Sequence, residues 1–289
     1  MDSPVRLVLG SADLVDDAVT PRLLDLFRSE GGRSLDLANV YGDGDSSRAV
    51  GRWLARSGSR GDFTLYVKGC HPPFCSPGLV TVEVDRARSL LGTDLLDVFV
   101  LHRDDPSYPV AAFADALREQ VERGAIGSFG VSNWMLARFQ ALRAELGVEA
   151  DRLTVFSNHF SLVTMVTPTW PGCLAMSMED IDALEPSGVT PLAWASVAGG
   201  YLAGRDLPSW TSDENAERRR RAAELAAGLG VTTPAVAVAY VLHRSEQLLA
   251  AAGTRSETHL AELLAGARLE LGADDVSWLE DGRSSARVD

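Results

Sequence analysis

The run Leu95-Leu96-Asp97-Val98-Phe99-Val100-Leu101 carries a single charge before it meets His102-Arg103. A strand with one wet face alternates apolar and polar residues, whereas a strand covered on both faces is apolar nearly throughout. This stretch therefore predicts a strand inside a parallel sheet with helices on its outer face. The flanking sequence repeats the theme. Further strands are expected at Arg6–Leu9, Ser34–Leu37, Phe63–Lys68, Ile126–Val131, Leu153–Ser157, Val189–Ala193 and Leu248–Ala252. Amphipathic stretches alternate with them at Val19–Ser29, Ser47–Arg56, Val80–Leu91, Ala111–Arg123, Met135–Leu146, Arg218–Leu229, Ala235–His243 and Thr258–Ala267. Eight strands alternating with helices is the count that closes into a barrel. The expectation is an α/β protein, one (β/α)8 TIM barrel over residues 1–289, with no Gly/Ser/Pro linker and no internal repeat. Two irregular segments interrupt it, Val163–Met178 and Gly204–Asn215, and the longer reads as a functional loop.

Composition narrows the function classes. Hydrophobic residues make up 46% and charged residues 23% of the chain, ordinary for an enzyme with a sizeable core. A net charge of −13 disfavours binding to nucleic acid or to an anionic membrane. No apolar run reaches the length of a bilayer span. Cys70, Cys75 and Cys173 are too few and too irregular for a disulfide framework, and Cys70 and Cys75 lack the spacing and histidine partners of a zinc site. The start, Met1-Asp2-Ser3-Pro4, lacks a basic segment followed by an apolar one, so a cytoplasmic protein without a bound metal is expected.

Polar residues gather where the strands end. Asp36 lies near the end of the second strand with Tyr41 behind it, Lys68 ends the third, and the fourth runs into His102. Ser132-Asn133 follows the fifth, Ser157-Asn158 ends the sixth, Trp194 follows the seventh and Gly253-Thr254-Arg255 the eighth. In a barrel these strand ends share one mouth, where such folds keep their chemistry.

The segments Asp36-Leu37-Ala38-Asn39-Val40-Tyr41-Gly42, Val67-Lys68-Gly69, Leu101-His102-Arg103 and Gly130-Val131-Ser132-Asn133-Trp134 resemble, in order and spacing, the signatures of the aldo-keto reductase family. Thr169-Trp170-Pro171-Gly172-Cys173 and Leu192-Ala193-Trp194-Ala195-Ser196 look like a bacterial branch of it. The resemblance implies a catalytic tetrad of Asp36, Tyr41, Lys68 and His102 that reduces an aldehyde or ketone. In that scheme Tyr41 donates the proton, Lys68 eases its release, Asp36 holds Lys68 charged and His102 orients the substrate oxygen. Taken singly, each residue also has a structural reading: an Asp36–Lys68 ion pair, a loop aromatic, a histidine capping a strand.

For the cofactor, the resemblance implies that Ser132 and Asn133 hold the nicotinamide carboxamide. Ser157 falls where the family often has Gln, and Trp194 where it usually stacks Tyr on the nicotinamide. Gly253, Thr254, Arg255, His259 and Glu262 fall at the adenosine-phosphate turn, with His259 where the family often has Arg and Leu263 where it often has Asn. Ser256 is the expected N-cap there, and Arg255 beside a helix N-terminus favours NADPH, with NADH possible. The run Arg218–Arg221 reads as a solvated helix face. A nicotinamide-binding sensor with slow turnover remains a second reading. A Schiff-base enzyme using Lys68 is a third, disfavoured by Asp36. The small-molecule carbonyl substrate is set by loops, here His71–Ser76, Asp104–Ser107 and Val163–Met178, and the oligomeric state is left open.

Overall fold

The structure, a computed structural model, describes residues 5–283. Residues 1–4, from which the absence of a leader was expected, lie outside them. The parallel strands β1 (Leu7–Gly10), β2 (Ser34–Ala38), β3 (Thr64–Gly69), β4 (Leu96–Leu101), β5 (Ile126–Ser132), β6 (Leu153–Ser157), β7 (Thr190–Ala193) and β8 (Leu249–Gly253) form one closed barrel in chain order. Closure is made by β1, whose Leu9 lies opposite Leu35 of β2 on one side and Ala252 of β8 on the other. The expected TIM barrel is therefore the observed fold.

Strand alternation sorts the core into two shells. Val98 and Val100 join Val8, Tyr66, Val155, Leu192 and Ala251 in a small cluster inside the barrel. Phe99 and Leu101 turn the other way, joining Leu65, Val67, Phe129 and Val131 in the large core beneath the helices. Each such side chain stabilises the fold by roughly 1.5–3 kcal/mol when fully buried. Interior space is tight at β5, where a Cβ on Gly130 would stand 2.7 Å from both the Cβ and the carbonyl oxygen of Val155. The pairing of β5 with β6 shifts register at that point.

Helices α1 (Thr20–Ser29), α2 (Asp45–Ser57), α3 (Val80–Leu91), α4 (Val110–Glu122) and α5 (Leu136–Leu146) fall close to the expected stretches. The second half departs more. Helix α6 (Met178–Leu184) was not foreseen, because seven residues with only Ile181 and Leu184 buried make no apolar period. Its sequence signal is the cap, where Ser177 and Asp180 exchange side-chain and backbone hydrogen bonds of 3.2 and 2.8 Å. Helix α7 (Asp213–Leu229) starts five residues before the apolar pattern, capped by Ser212. Its buried Asn215 accepts the Thr164 N–H at 2.9 Å and donates to the Thr164 carbonyl at 2.7 Å, anchoring the long loop. Helices α8 (Thr233–His243) and α9 (Glu257–Arg268) follow, the latter N-capped by Ser256 as expected. A last helix, α10 (Ala273–Asp281), was also unforeseen; it buries Val276 and Leu279 and is held by Arg221, which donates to the Leu279 carbonyl at 3.1 Å. Among the described residues no single helix is long and apolar enough to cross a membrane.

The long loop after β6 is pinned to the barrel by His159. Its N–H donates to the Leu174 carbonyl and its carbonyl accepts the Met176 N–H, both at 2.9 Å. The ring sits 5.1 Å from Trp194 and 5.9 Å from Trp210, centroid to centroid, and is 2% exposed. Burial pushes its pKa down from 6.5 to about 4. A histidine held neutral in the native state contributes stability above its unfolded pKa, and that stability is lost as pH falls through the window down to the native value. His159 alone should cost on the order of 3 kcal/mol between pH 6.5 and 4. Urea titrations at about pH 7 and about pH 4 should show a smaller drop in midpoint for His159→Gln than for the wild type. An equal drop would place the proton uptake elsewhere.

Candidate active site

One cavity of about 1460 Å³ opens at the C-terminal ends of the strands. A site for a single small molecule is roughly 300–1,000 Å³, so this volume has room for more than a simple carbonyl compound. Its near arm is lined by Asp36, Tyr41, Lys68, His71, His102 and Arg103, and its far arm runs past Trp194 to Thr254, Arg255, His259 and Glu262.

Adjacent strands build the centre of the near arm. Lys68 of β3 lies opposite Ala38 of β2, one interior step beyond Asp36. Its ammonium donates to both carboxylate oxygens of Asp36, at 2.5 and 2.6 Å, and both residues are buried. Tyr41 stands in the turn Tyr41–Gly44 behind β2, with its ring centroid 5.2 Å from the Lys68 nitrogen and 6.1 Å from the His102 ring. The four residues named from the sequence are thus neighbours.

The charges have definite directions. Burial lowers the Lys68 pKa, but the Asp36 carboxylate and Tyr41 outweigh it, so the lysine ends above its ordinary value and stays an ammonium. For Tyr41 burial wins: it raises the phenol pKa more than Lys68 lowers it. Lys68 acts in the direction expected, favouring the phenolate, but burial outweighs it and the net shift is upward. Burial first, then the positive charges of Lys68 and Arg103, hold His102 far below its ordinary value, so its ring is neutral. The His102 Nδ1 is buried without a hydrogen-bond partner.

The residues expected around a nicotinamide fare unevenly. Ser132 and Asn133 line the cavity, yet the Asn133 amide is already engaged: Nδ2 donates to Ser132 Oγ at 2.9 Å and to the His102 carbonyl at 3.3 Å, and Oδ1 accepts the Leu174 N–H at 3.1 Å. Asn133 has φ +58°, a left-handed conformation uncommon outside glycine. Ser157 does not reach the cavity; it is 1% exposed at the end of β6, and its carbonyl accepts the Asn133 N–H at 3.0 Å. Trp194 does line the cavity, half-buried, with its Nε1 unpartnered.

In the far arm Gly253, Thr254, Arg255, His259 and Glu262 come together with Leu263. Ser256 Oγ accepts the His259 N–H at 3.3 Å, and Arg255 is exposed. Two cations not foreseen join them, Arg205 and Arg219. The run Arg218–Arg221 is not one solvated face. Arg219 turns to the cavity over the Tyr201 ring at 4.9 Å, Arg221 is buried, and Arg220 is exposed between Glu217 and Glu224. Only the phase of α7 against the barrel separates them, and composition does not reveal that phase. Arg103 was likewise present in the sequence without an assigned part, and His71 only as the start of a substrate loop.

The model of the Aldo/keto reductase family matches residues 6–281. An uncharacterized oxidoreductase of Bacillus subtilis (strain 168), YrpG, is 24% identical over 96% of this chain and 91% of its own length. A thermostable aldo-keto reductase crystallised with the inhibitor epalrestat superposes with a TM-score of 0.79 at 18% identity, covering 96% of this chain and 95% of that one. An aldo-keto reductase from Klebsiella pneumoniae in complex with NADPH gives a TM-score of 0.74 at 19% identity, covering 95% and 89%. The family match spans the whole barrel and the site just described: the chain belongs to the aldo/keto reductase family of oxidoreductases.

Proposed function

We propose that the protein reduces an aldehyde or ketone to an alcohol with NADPH, Tyr41 giving the proton. The observation that carries this is the buried Asp36–Lys68 pair beneath Tyr41, in the same cavity as neutral His102. A nicotinamide bound in the far arm would supply the hydride. The residues present suit such a guest: Trp194 offers an indole face, while Arg205, Arg219 and Arg255 offer positive charge for phosphates. The NADPH complex of the Klebsiella relative supports the same reading.

The chain's own part is proton supply and orientation. As hydride reaches the carbonyl carbon, the C=O π pair moves to oxygen, which takes the Tyr41 proton and forms an O–H bond. A raised tyrosine pKa keeps that proton in place across neutral pH, and the Lys68 ammonium stabilises the phenolate left behind. Neutral His102 offers a hydrogen bond to the same oxygen without competing for the proton.

Removing only the Tyr41 hydroxyl, in Tyr41→Phe, should lower kcat by about 10² to 10⁴ while NADPH binding stays near wild type. Loss of nicotinamide absorbance with a panel of aldehydes and ketones measures the first, and calorimetry the second. Undiminished turnover removes Tyr41 from the mechanism, whereas NADPH binding without turnover on any carbonyl would favour a sensor. Asp36 raises the Tyr41 pKa, so Asp36→Asn should move the alkaline fall of kcat to lower pH.

Cofactor choice is tested at Arg255. Its guanidinium at the start of α9 matches a 2′-phosphate, which NADH lacks. Arg255→Ala should weaken NADPH by about tenfold and leave NADH nearly unchanged. Equal losses for both, or equal wild-type affinities, would remove the proposed phosphate contact.

A further inference from the structure

Among the described residues Arg103 is a cation without a counter-ion, in the near arm of the cavity. It is 6% exposed and lines the cavity. Its Nη1 donates to the His102 carbonyl at 2.8 Å and its Nη2 to the Cys173 sulfur at 3.4 Å, while Nε is buried with no partner. A guanidinium has five N–H donors and stays charged in any protein. One N–H on each Nη is therefore left over. Among the described residues no carboxylate forms an ion pair with it, and the acids nearby are engaged elsewhere. Asp36 holds Lys68, and Asp104 holds Arg138 at 2.6 Å. Asp105 accepts from the Ser107 backbone and hydroxyl at 3.0 and 2.6 Å, and Glu83 accepts from Asn39 and from the Cys70 N–H at 3.0 and 3.1 Å.

Burying a charge without a partner is costly, and a bound anion removes the cost. A purely structural arginine would use more of its donors on backbone carbonyls, as Arg221 does on Leu279 and Glu280. We propose that Arg103 recognises an anionic group on the substrate, which is an oxo acid whose carboxylate lies a few bonds from the carbonyl carbon. This rests on the reductase reading of the same cavity.

Position supports that choice. Arg103 follows His102 directly, and its charge acts on both His102 and Tyr41, the two groups placed about the reacting oxygen. An anion held here is therefore beside the carbonyl and away from the cations of the far arm. Gly172 covers the guanidinium from the long loop, with φ +76° and room for a Cβ only 3.5 Å from Arg103 Cδ. The anion must then arrive through the cavity, past His71 and the exposed Trp170, whose indole offers a wall for an apolar remainder. Each Nη keeps one unused N–H, and a planar carboxylate, with two acceptor oxygens, is the anion a guanidinium binds best. The carboxylate itself is unchanged in the reaction: the ketone accepts hydride at carbon and the Tyr41 proton at oxygen, and a hydroxy acid leaves with oxidised cofactor.

The test compares phenylglyoxylate with its methyl ester, which share the ketone and differ in the charge. In the wild type kcat/KM should favour the acid at least tenfold. In Arg103→Met that preference should be largely lost, a fall of about tenfold or more through KM for the acid, and Arg103→Lys should restore part of it. Calorimetric binding of phenylglyoxylate to the NADP⁺-loaded protein, where no hydride is available, should weaken in parallel. An arginine that merely holds the loop would lose acid and ester alike in Arg103→Met, and that outcome overturns the proposal. So does a wild type that uses the ester as well as the acid, a result that needs no variant to fold. If neither ketone is turned over but acid binding still depends on Arg103, the anion subsite stands and the reductase reading falls.

Discussion

Parallel pairing of Leu7–Gly10 with Leu249–Gly253 closes the sheet, and the mouth of the molecule exists because of it. An open sheet would leave β1 and β8 as edges and spread the strand ends along a line. Closure turns them into a ring, so Asp36, Lys68, His102, Trp194 and Arg255, spread over more than two hundred residues of sequence, face one cavity. The same closure demands small residues where the ring is tight, as at Gly130 against Val155. Strand alternation then fixes which half of each strand fills the interior and which half binds the helices.

Within that ring electrostatics decides protonation. Burial disfavours every charge, yet the outcome differs at each group according to its neighbours. Lys68 keeps its proton because Asp36 meets it with both oxygens at hydrogen-bond distance. His102, buried and beside the charges of Lys68 and Arg103, stays neutral. Tyr41 lies between these cases: the ammonium opposes burial without overcoming it, so the phenol keeps its proton at neutral pH. Under the proposed reduction, such a group would give up its proton only to a developing alkoxide, which suits catalysis at neutral pH.

The cavity divides its cations by distance from this centre. Arg205, Arg219 and Arg255 are exposed or half-buried at the far arm, where long phosphate-bearing ligands can be gripped at the surface. Arg103 is buried next to the tetrad and packed under the loop that Asn133 and His159 fasten to the barrel. Loop anchoring and the proposed anion subsite therefore share one small region, and a change in the loop alters the cover over the guanidinium directly.

Local sequence determined the strands and the residues that end them. A doubly covered strand such as Leu96–Leu101 must be apolar nearly throughout, so its signal survives without any knowledge of its partners. The order of Asp36, Tyr41, Lys68 and His102 along the chain was legible for the same reason: each sits at a fixed offset from such a strand. Short, weakly apolar helices such as Met178–Leu184 and Ala273–Asp281 were not legible, since docking on the barrel rather than periodicity holds them. Tertiary structure alone decided that Ser157 is covered, that Arg219 faces inward while Arg220 faces water, and that burial outweighs Lys68 at Tyr41. It also decided that Arg103 has no counter-ion among the described residues, for whether a charge is paired depends on where every neighbouring carboxylate has gone, and that is settled only when the chain closes on itself.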